Sequence, residues 1–245
     1  AAREWSVEKG LSKMQEDWEG LQFELGPWKE TGTFILKGGP VDEAQALLDD
    51  HIVKSQAMTA SPFAKPFEET LLPWEARLVR LQDILDNWLK CQGKWLYLEP
   101  IFGSEEIMKQ IPREGAAFHN MDKMWRAIME KVREEPVILD AAAIPSLLED
   151  LQFCNAELDV VEKGLNDFLD TKKMAFPRFF FLSNDELLEI LSEAKDPLNI
   201  QPFVKKCFEA CKQLKFEESG EISGIESVEG EKIPLIEPVN PAASG

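Results

Sequence analysis

Residues 176–191 read FPRFFFLSNDELLEIL. Pro177, Arg178 and the aromatics Phe179, Phe180 and Phe181 form one short apolar run between Phe176 and Leu182. Ser183 then stands three residues before Glu186, the spacing of a capping box, in which each of the two side chains satisfies the other residue's free backbone N–H. Leu187, Leu188 and Leu191 supply the apolar face of the helix so capped. The stretch therefore predicts a buried extended segment, a sharp turn and a helix. If it is extended, Phe179 and Phe181 point one way and Phe180 the other. Phe176 to Leu182 is the predicted structural core signature, with Ser183 and Glu186 as the helix cap.

Working outward, helical periodicity dominates. Leu147, Leu151, Cys154, Leu158, Val161, Leu165 and Phe168 step along one helix face, with Pro145 near its start. Trp74, Leu78, Leu81, Leu85, Trp88 and Trp95 share another face with Gln92 in the seam, and Pro73 suits the first turn. Val7, Leu11, Met14, Trp18, Leu21 and Leu25 predict a helix that ends at Gly26-Pro27. Asp42 suits the cap of the helix carrying Ala44, Leu47, Leu48 and Ile52. Pro100, Gly103 and Pro112 interrupt the pattern around a short helix near 104–110. A later helix carries Met121, Met124, Trp125, Ile128 and Val132, and another carries Phe203, Val204, Cys207, Phe208 and Cys211. Ile222, Ile225, Val228, Ile233, Leu235 and Ile236 are β-formers around Glu229-Gly230, a hairpin signal, and residues 238–245 have linker composition. The predicted fold class is mainly α: an elongated multi-helix bundle rod with a small β-hairpin near the C-terminus. The expected divisions are 1–112, 113–216 and 217–245.

Composition narrows the function. The 245 residues carry 45 acids and 27 bases, a net charge of −18. Such a surface repels nucleic acid and anionic membranes and offers no attraction to an acidic microtubule face. No apolar run approaches the roughly 20 residues needed to span a bilayer. Cys91, Cys154, Cys207 and Cys211 form no Cys-x-x-Cys pair, and no signal peptide opens the chain, so a reducing cytosolic setting is expected. His51 and His119 lack a second ligand at metal spacing; His51 reads as a helix-surface histidine and Cys207 with Cys211 as packing on one helix face. No phosphate loop or nucleophile elbow occurs. Arg178, a cation inside an aromatic run, must reach a carboxylate, a carbonyl or solvent; a structural salt bridge is the leading expectation and a functional contact with a neighbouring module the alternative. The residues alone give no catalytic, cofactor or metal site.

The same stretch resembles the linker region of dynein heavy chains, where an F-P-R-F-(Y/F)-F-L-S-N-(D/E)-E-L-L-E-(I/L)-L run is a signature. LLDDHIVKSQAM at 47–58, SPF at 61–63, WEARL at 74–78, WLYLEPIF at 95–102, FVKKCFEA at 203–210 and ESVEGEKIPL at 226–235 extend the similarity across about residues 4–238. The wording is most like the axonemal inner-arm chains. The resemblance implies an arched helical arm lying across a ring of AAA+ modules, a lever whose bending and straightening with ATP drives movement along microtubules in cilia or flagella. It implies that ATP and Mg belong to the ring of the parent motor ATPase and that this chain is not itself an enzyme. It further implies that intermediate and light chains attach through the tail of the parent. A static helical scaffold of the spectrin kind is the competing class; the Pro/Gly breaks and the absence of a repeat stand against it. Since a lever needs compliance at breaks rather than within packed helices, Pro100, Gly103 and Pro112 are the candidate hinge.

Overall fold

The computed structural model describes residues 2–193 and 196–241; residues 242–245, the end of the linker-like stretch, lie outside them. The fold is mainly α, with 69% of the described residues helical. In chain order the elements are α1 (Ala2–Trp18), β1 (Leu25–Pro27), β2 (Phe34–Leu36), α2 (Gly38–Thr59), α3 (Glu68–Phe102), α4 (Glu105–Gln110) and α5 (Pro112–Glu134). Then follow α6 (Ile138–Ala141), α7 (Leu147–Ala175), α8 (Asn184–Ser192), α9 (Gln201–Cys207), β3 (Cys211–Phe216), β4 (Ile222–Ser227) and β5 (Lys232–Val239). The chain forms two compact units: Ala1–Tyr97 with Phe118–Asp159, and Leu98–Ala117 with Val160–Gly245. These limits differ from the three divisions drawn from sequence, which assumed that a unit is continuous along the chain. Here α3, α5 and α7 each contribute residues to both units.

In the first unit the seam of α3 behaves as its spacing requires. Leu78, Leu81, Leu85, Trp88 and Trp95 are fully buried, and Trp95 stacks on Trp125 of α5 with ring centroids 5.8 Å apart. The Trp95 indole also donates to Asp122 Oδ1 at 2.7 Å, and the other oxygen of that carboxylate accepts from Arg126 Nε at 2.7 Å. Three boundary expectations are corrected. The first helix stops at Trp18 rather than at Gly26-Pro27, because Gly20 takes a left-handed φ of 76°. Leu21 to Leu25 then run extended: Ile138 N–H donates to Leu21 O, Phe23 N–H donates to Pro136 O, and Phe23 packs on Trp88. Asp42 is not a cap, since α2 already begins at Gly38 with Lys37 as its N-cap. Pro73 is not in the first turn either, since α3 starts at Glu68 behind a 3-10 turn over Lys65–Phe67.

Gln92, in the seam as expected, serves a purpose beyond filling it. Its side-chain amide accepts from Leu36 N–H at 2.8 Å and donates to Leu36 C=O at 3.1 Å, so it fastens the β1–β2 hairpin to α3 as a neighbouring strand would.

The second unit has its own small core of Leu182, Phe203 and Cys207, against which Phe179 and Ile190 pack. Its sheet is an antiparallel meander in the order β3-β4-β5, turning at Gly220 (φ 85°) and Gly230 (φ 88°). The Glu229-Gly230 turn joins β4 to β5; β3 adds a strand where the sequence predicted helix. The helix at 201 ends at Cys207, with Phe208 extended (φ −137°, ψ 91°), so Cys207 and Cys211 do not share a helix face. Gln201 repeats the device of Gln92: its amide donates to Leu214 O at 2.7 Å and accepts from Leu214 N–H at 2.9 Å, fixing β3 to α9.

Candidate functional site

Phe176–Leu182 is not the buried extended core segment that its composition predicts. Pro177–Phe181 is a 3-10 turn, closed by Phe179 N–H to Phe176 O (2.9 Å) and Leu182 N–H to Phe179 O (3.1 Å). The fixed φ of Pro177 suits a first helical position. A period of three eclipses residues i and i+3, so Phe176, Phe179 and Leu182 fall on one side. Leu182 is buried, Phe179 is partly buried, and the Phe176 and Phe179 rings meet edge to face at 4.8 Å. Phe180 and Phe181 fall on the other side and are 58% and 68% exposed.

Arg178 makes its bond to a carbonyl rather than the expected salt bridge. Its Nη1 donates to Cys207 O at 2.9 Å, an acceptor left free at the end of α9, and its guanidinium lies 4.5 Å from the Phe208 ring centroid. The turn is held from its other end by the capping box: the Ser183 hydroxyl accepts from Glu186 N–H at 3.2 Å, and Glu186 accepts from Ser183 N–H at 2.9 Å. Lys206 ion-pairs with the same Glu186. That hydrogen bond, then the one from Ser183, holds the Glu186 carboxyl below its ordinary value. Lys173, at the end of α7, donates to Asn184 Oδ1 at 2.6 Å and lies 5.9 Å from the Phe180 ring. Phe176, Phe179, Phe203, Cys207 and Phe208 line an apolar cleft of about 260 Å³. Lys173, Gln201 and Phe208 were missed as site residues from sequence. A signal existed for the first, since Lys172-Lys173 is a basic pair directly before an aromatic run in an acidic chain.

The candidate hinge residues lie together in the second unit. Pro100 is inside the last turn of α3, Gly103 N–H closes that turn on Glu99 O at 2.9 Å, and Pro112 opens α5. Between them α4 buries Ile107, while Met108 lies so close to Gly115 that a Cβ there would come within 2.3 Å of its sulfur.

The remaining titratable candidates are structural. His51 is buried, 2% exposed, and not a surface histidine; its Nδ1 accepts from Trp18 Nε1 at 3.1 Å, with Asp17 at 3.6 Å and Asp50 at 3.8 Å from Nε2. Burial pushes its pKa down against the opposing pull of those two carboxylates. Cys91 and Cys154 are free thiols buried against each other, and the hydrogen bond that Cys91 donates to Cys154, together with burial, pushes the Cys91 thiol up. Among the described residues no group of three or more His, Cys, Asp or Glu side chains could hold a metal ion, and no helix is long and apolar enough to cross a membrane.

Comparison with known proteins places this geometry in context. The sequence matches the family described as "Dynein heavy chain, N-terminal region 2" over residues 1–244. It is 48% identical over 244 residues to dynein axonemal heavy chain 12 of Rattus norvegicus, covering all of this chain and 8% of that protein. Over 242 residues it is 50% identical to dynein axonemal heavy chain 3 of Homo sapiens, covering 99% of this chain and 6% of that one. Dynein axonemal heavy chain 1 of Mus musculus is 46% identical over 244 residues, again covering all of this chain and 6% of the relative. The chain thus spans less than a tenth of the length of these relatives.

Proposed function

We propose, from the premise that this chain belongs to the dynein heavy chain family through its N-terminal region 2, that it is the mechanical linker of an axonemal heavy chain. In this reading it is a lever that carries ATP-driven changes in the AAA+ ring of the same polypeptide into movement along microtubules of a cilium or flagellum. The observation that carries the reading is the family match from residue 1 to residue 244. Two long helices agree with it, α3 of 35 residues and α7 of 29. Each buries a large side chain at nearly every turn, and bending such a helix opens packed contacts. ATP and Mg are then bound by the ring of the parent chain, the microtubule is gripped elsewhere in that chain, and intermediate and light chains join through its tail. Within this reading the compliant element is the junction Glu99 to Pro112, with Pro100, Gly103 and Pro112 as its breaks.

The test is exchange of residues 1–245, in the parent heavy chain, for a spectrin-type helical rod of similar length. A lever predicts that ATP hydrolysis persists while microtubule gliding is lost. Gliding at the original velocity refutes the lever and favours a passive scaffold. Structures of the parent in two nucleotide states address the junction: a new kink within 147–175 beside an unchanged 99–112 refutes it as the hinge.

A further inference from the structure

In the first unit α3 and α7 are fastened side by side by polar contacts that advance in step along both helices. Arg80 pairs with Glu149 at 3.7 Å, Asn155 Nδ2 donates to Asn87 O at 2.9 Å, and Lys90 pairs with Asp159 at 3.6 Å. Cys91 and Cys154 stand within this ladder, the only cysteines of the unit, both fully buried and in contact as free thiols. Reduced, the pair is packing between two helices. Its surroundings, however, are not the apolar ones that keep a buried thiol inert. Asn155, directly after Cys154, is 4% exposed, and its Oδ1 has no hydrogen-bond partner among the described residues. A buried amide oxygen without a donor suits a small molecule that carries O–H groups. Asn87, which holds Asn155, is only half-buried, so amides lead from the surface toward the thiols.

We propose that Cys91 and Cys154 are a peroxide-sensitive thiol pair whose disulfide ties α3 to α7. Cys154 reacts first. Cys91 donates its S–H to Cys154, and that bond holds Cys154 below its ordinary value while pushing Cys91 up. The thiolate is the attacking form. The Cys154 sulfur takes one oxygen of hydrogen peroxide and the O–O bond breaks. The other oxygen leaves as hydroxide and takes the proton that Cys154 gave up, so water and a sulfenic acid at 154 result. The Cys91 sulfur then attacks the Cys154 sulfur, the S–O bond breaks, and the hydroxyl leaves with the Cys91 proton as a second water. Two thiols have lost two electrons, and one peroxide has become two waters. A small-molecule dithiol reverses the step by exchange, becoming a disulfide itself. Hydrogen peroxide fits the site because it is small, neutral and carries O–H donors. An anionic, bulky oxidant such as glutathione disulfide meets both the burial of the pair and the −18 charge of the chain. Cys207 and Cys211 lack the arrangement: the chain turns extended between them at Phe208, and burial pushes both thiols up.

The experiment treats the folded, reduced 245-residue chain with graded hydrogen peroxide, blocks the remaining thiols with iodoacetamide, and maps the cysteines by digestion and mass spectrometry. A peptide joining Cys91 to Cys154, lighter by two hydrogens than its parts and released by dithiothreitol, should be the major disulfide. The same treatment in concentrated urea should scatter the pairing among all four cysteines, and glutathione disulfide should leave Cys91 and Cys154 as thiols. The order of attack is read with dimedone, which labels sulfenic acids. Cys91→Ser keeps a donor beside Cys154 and should be labelled at Cys154; Cys154→Ser should lose the label without gaining one at Cys91. Circular dichroism confirms that each variant folds, and the map of the original chain needs neither variant. Recovery of both Cys91 and Cys154 as free thiols, at a dose that oxidises Cys211, overturns the proposal. So does linkage of either one to Cys207 or Cys211 in the folded chain, equal cross-linking by glutathione disulfide, or a dimedone label on Cys91 of the Cys154→Ser chain.

Discussion

Trp18, Trp88, Trp95 and Trp125 in the first unit are at most 1% exposed, whereas Phe180 and Phe181 in the second stand 58% and 68% exposed. Both regions are dense in aromatics, so amount does not decide burial; spacing does. Trp88 and Trp95 are seven residues apart and return to the same face of α3, where a continuous seam receives them. Phe179, Phe180 and Phe181 are consecutive. On a turn of period three, consecutive residues point in three directions, and one small core can cover only one of them. An unbroken aromatic run on a tight turn must therefore leave rings outside.

The contrast can be sharpened inside the seam itself. Trp95 donates to Asp122, while the buried Trp88 indole N–H has no acceptor among the described residues. Replacing Trp by Phe removes ring volume at both places, but only at 95 does it also remove a hydrogen bond to a buried carboxylate. Trp95→Phe should therefore destabilise by ~1–3 kcal/mol more than Trp88→Phe. Urea unfolding of the two variants measures the gap, and equal losses would mean that the seam is held by shape alone.

A smaller effect comes from His51, which joins α1 to α2 through Trp18. Its folded pKa lies below the ordinary 6.5, mainly through burial. The unfolded chain therefore takes up the proton first as the pH falls. The contribution is fully present above about pH 6.5 and is lost as the pH drops through that value toward the folded one. Unfolding midpoints at pH 7.5 and 5.5 should differ in the original chain and differ less in His51→Gln. An identical pH slope in the variant would place the sensitivity elsewhere.

The smallest expected effect is at the exposed turn. Phe181→Ala should change stability by no more than ~0.5 kcal/mol, as surface substitutions generally do. A loss of ~3–5 kcal/mol, the range for a buried Phe, would erase the distinction between the two aromatic regions.

The parts of the fold legible in the sequence are those fixed by local rules. The seams of α3, α5 and α7, the short α4, the Glu229-Gly230 turn and the capping box at Ser183 each depend on spacing over a few residues. What stayed hidden depends on contacts far apart in sequence. Leu21 to Leu25 continue a helical stripe, yet Gly20 and backbone bonds to Leu21 and Phe23 draw them into extended chain. His51 reads as polar and exposed until Trp18, 33 residues earlier, covers it. Cys211 continues an apolar pattern from Cys207, but the chain turns extended at Phe208 and Cys211 pairs with Ser227 as the start of a strand. At the aromatic turn the residue types pointed to the right place and the wrong conformation, because nothing in the run itself separates a period of two from a period of three.

The two glutamine clamps carry one more consequence. Gln92 and Gln201 recognise Leu36 and Leu214 only through their peptide groups. The side chain at 36 or 214 is therefore invisible to the clamp, and either can drift without a matching change in its glutamine. Contacts of this kind leave no correlated trace in the history of a sequence, although each fastens a strand to a helix. A comparison of relatives that seeks paired substitutions would pass over them, and only the persistence of a glutamine with no evident side-chain partner would mark where they are.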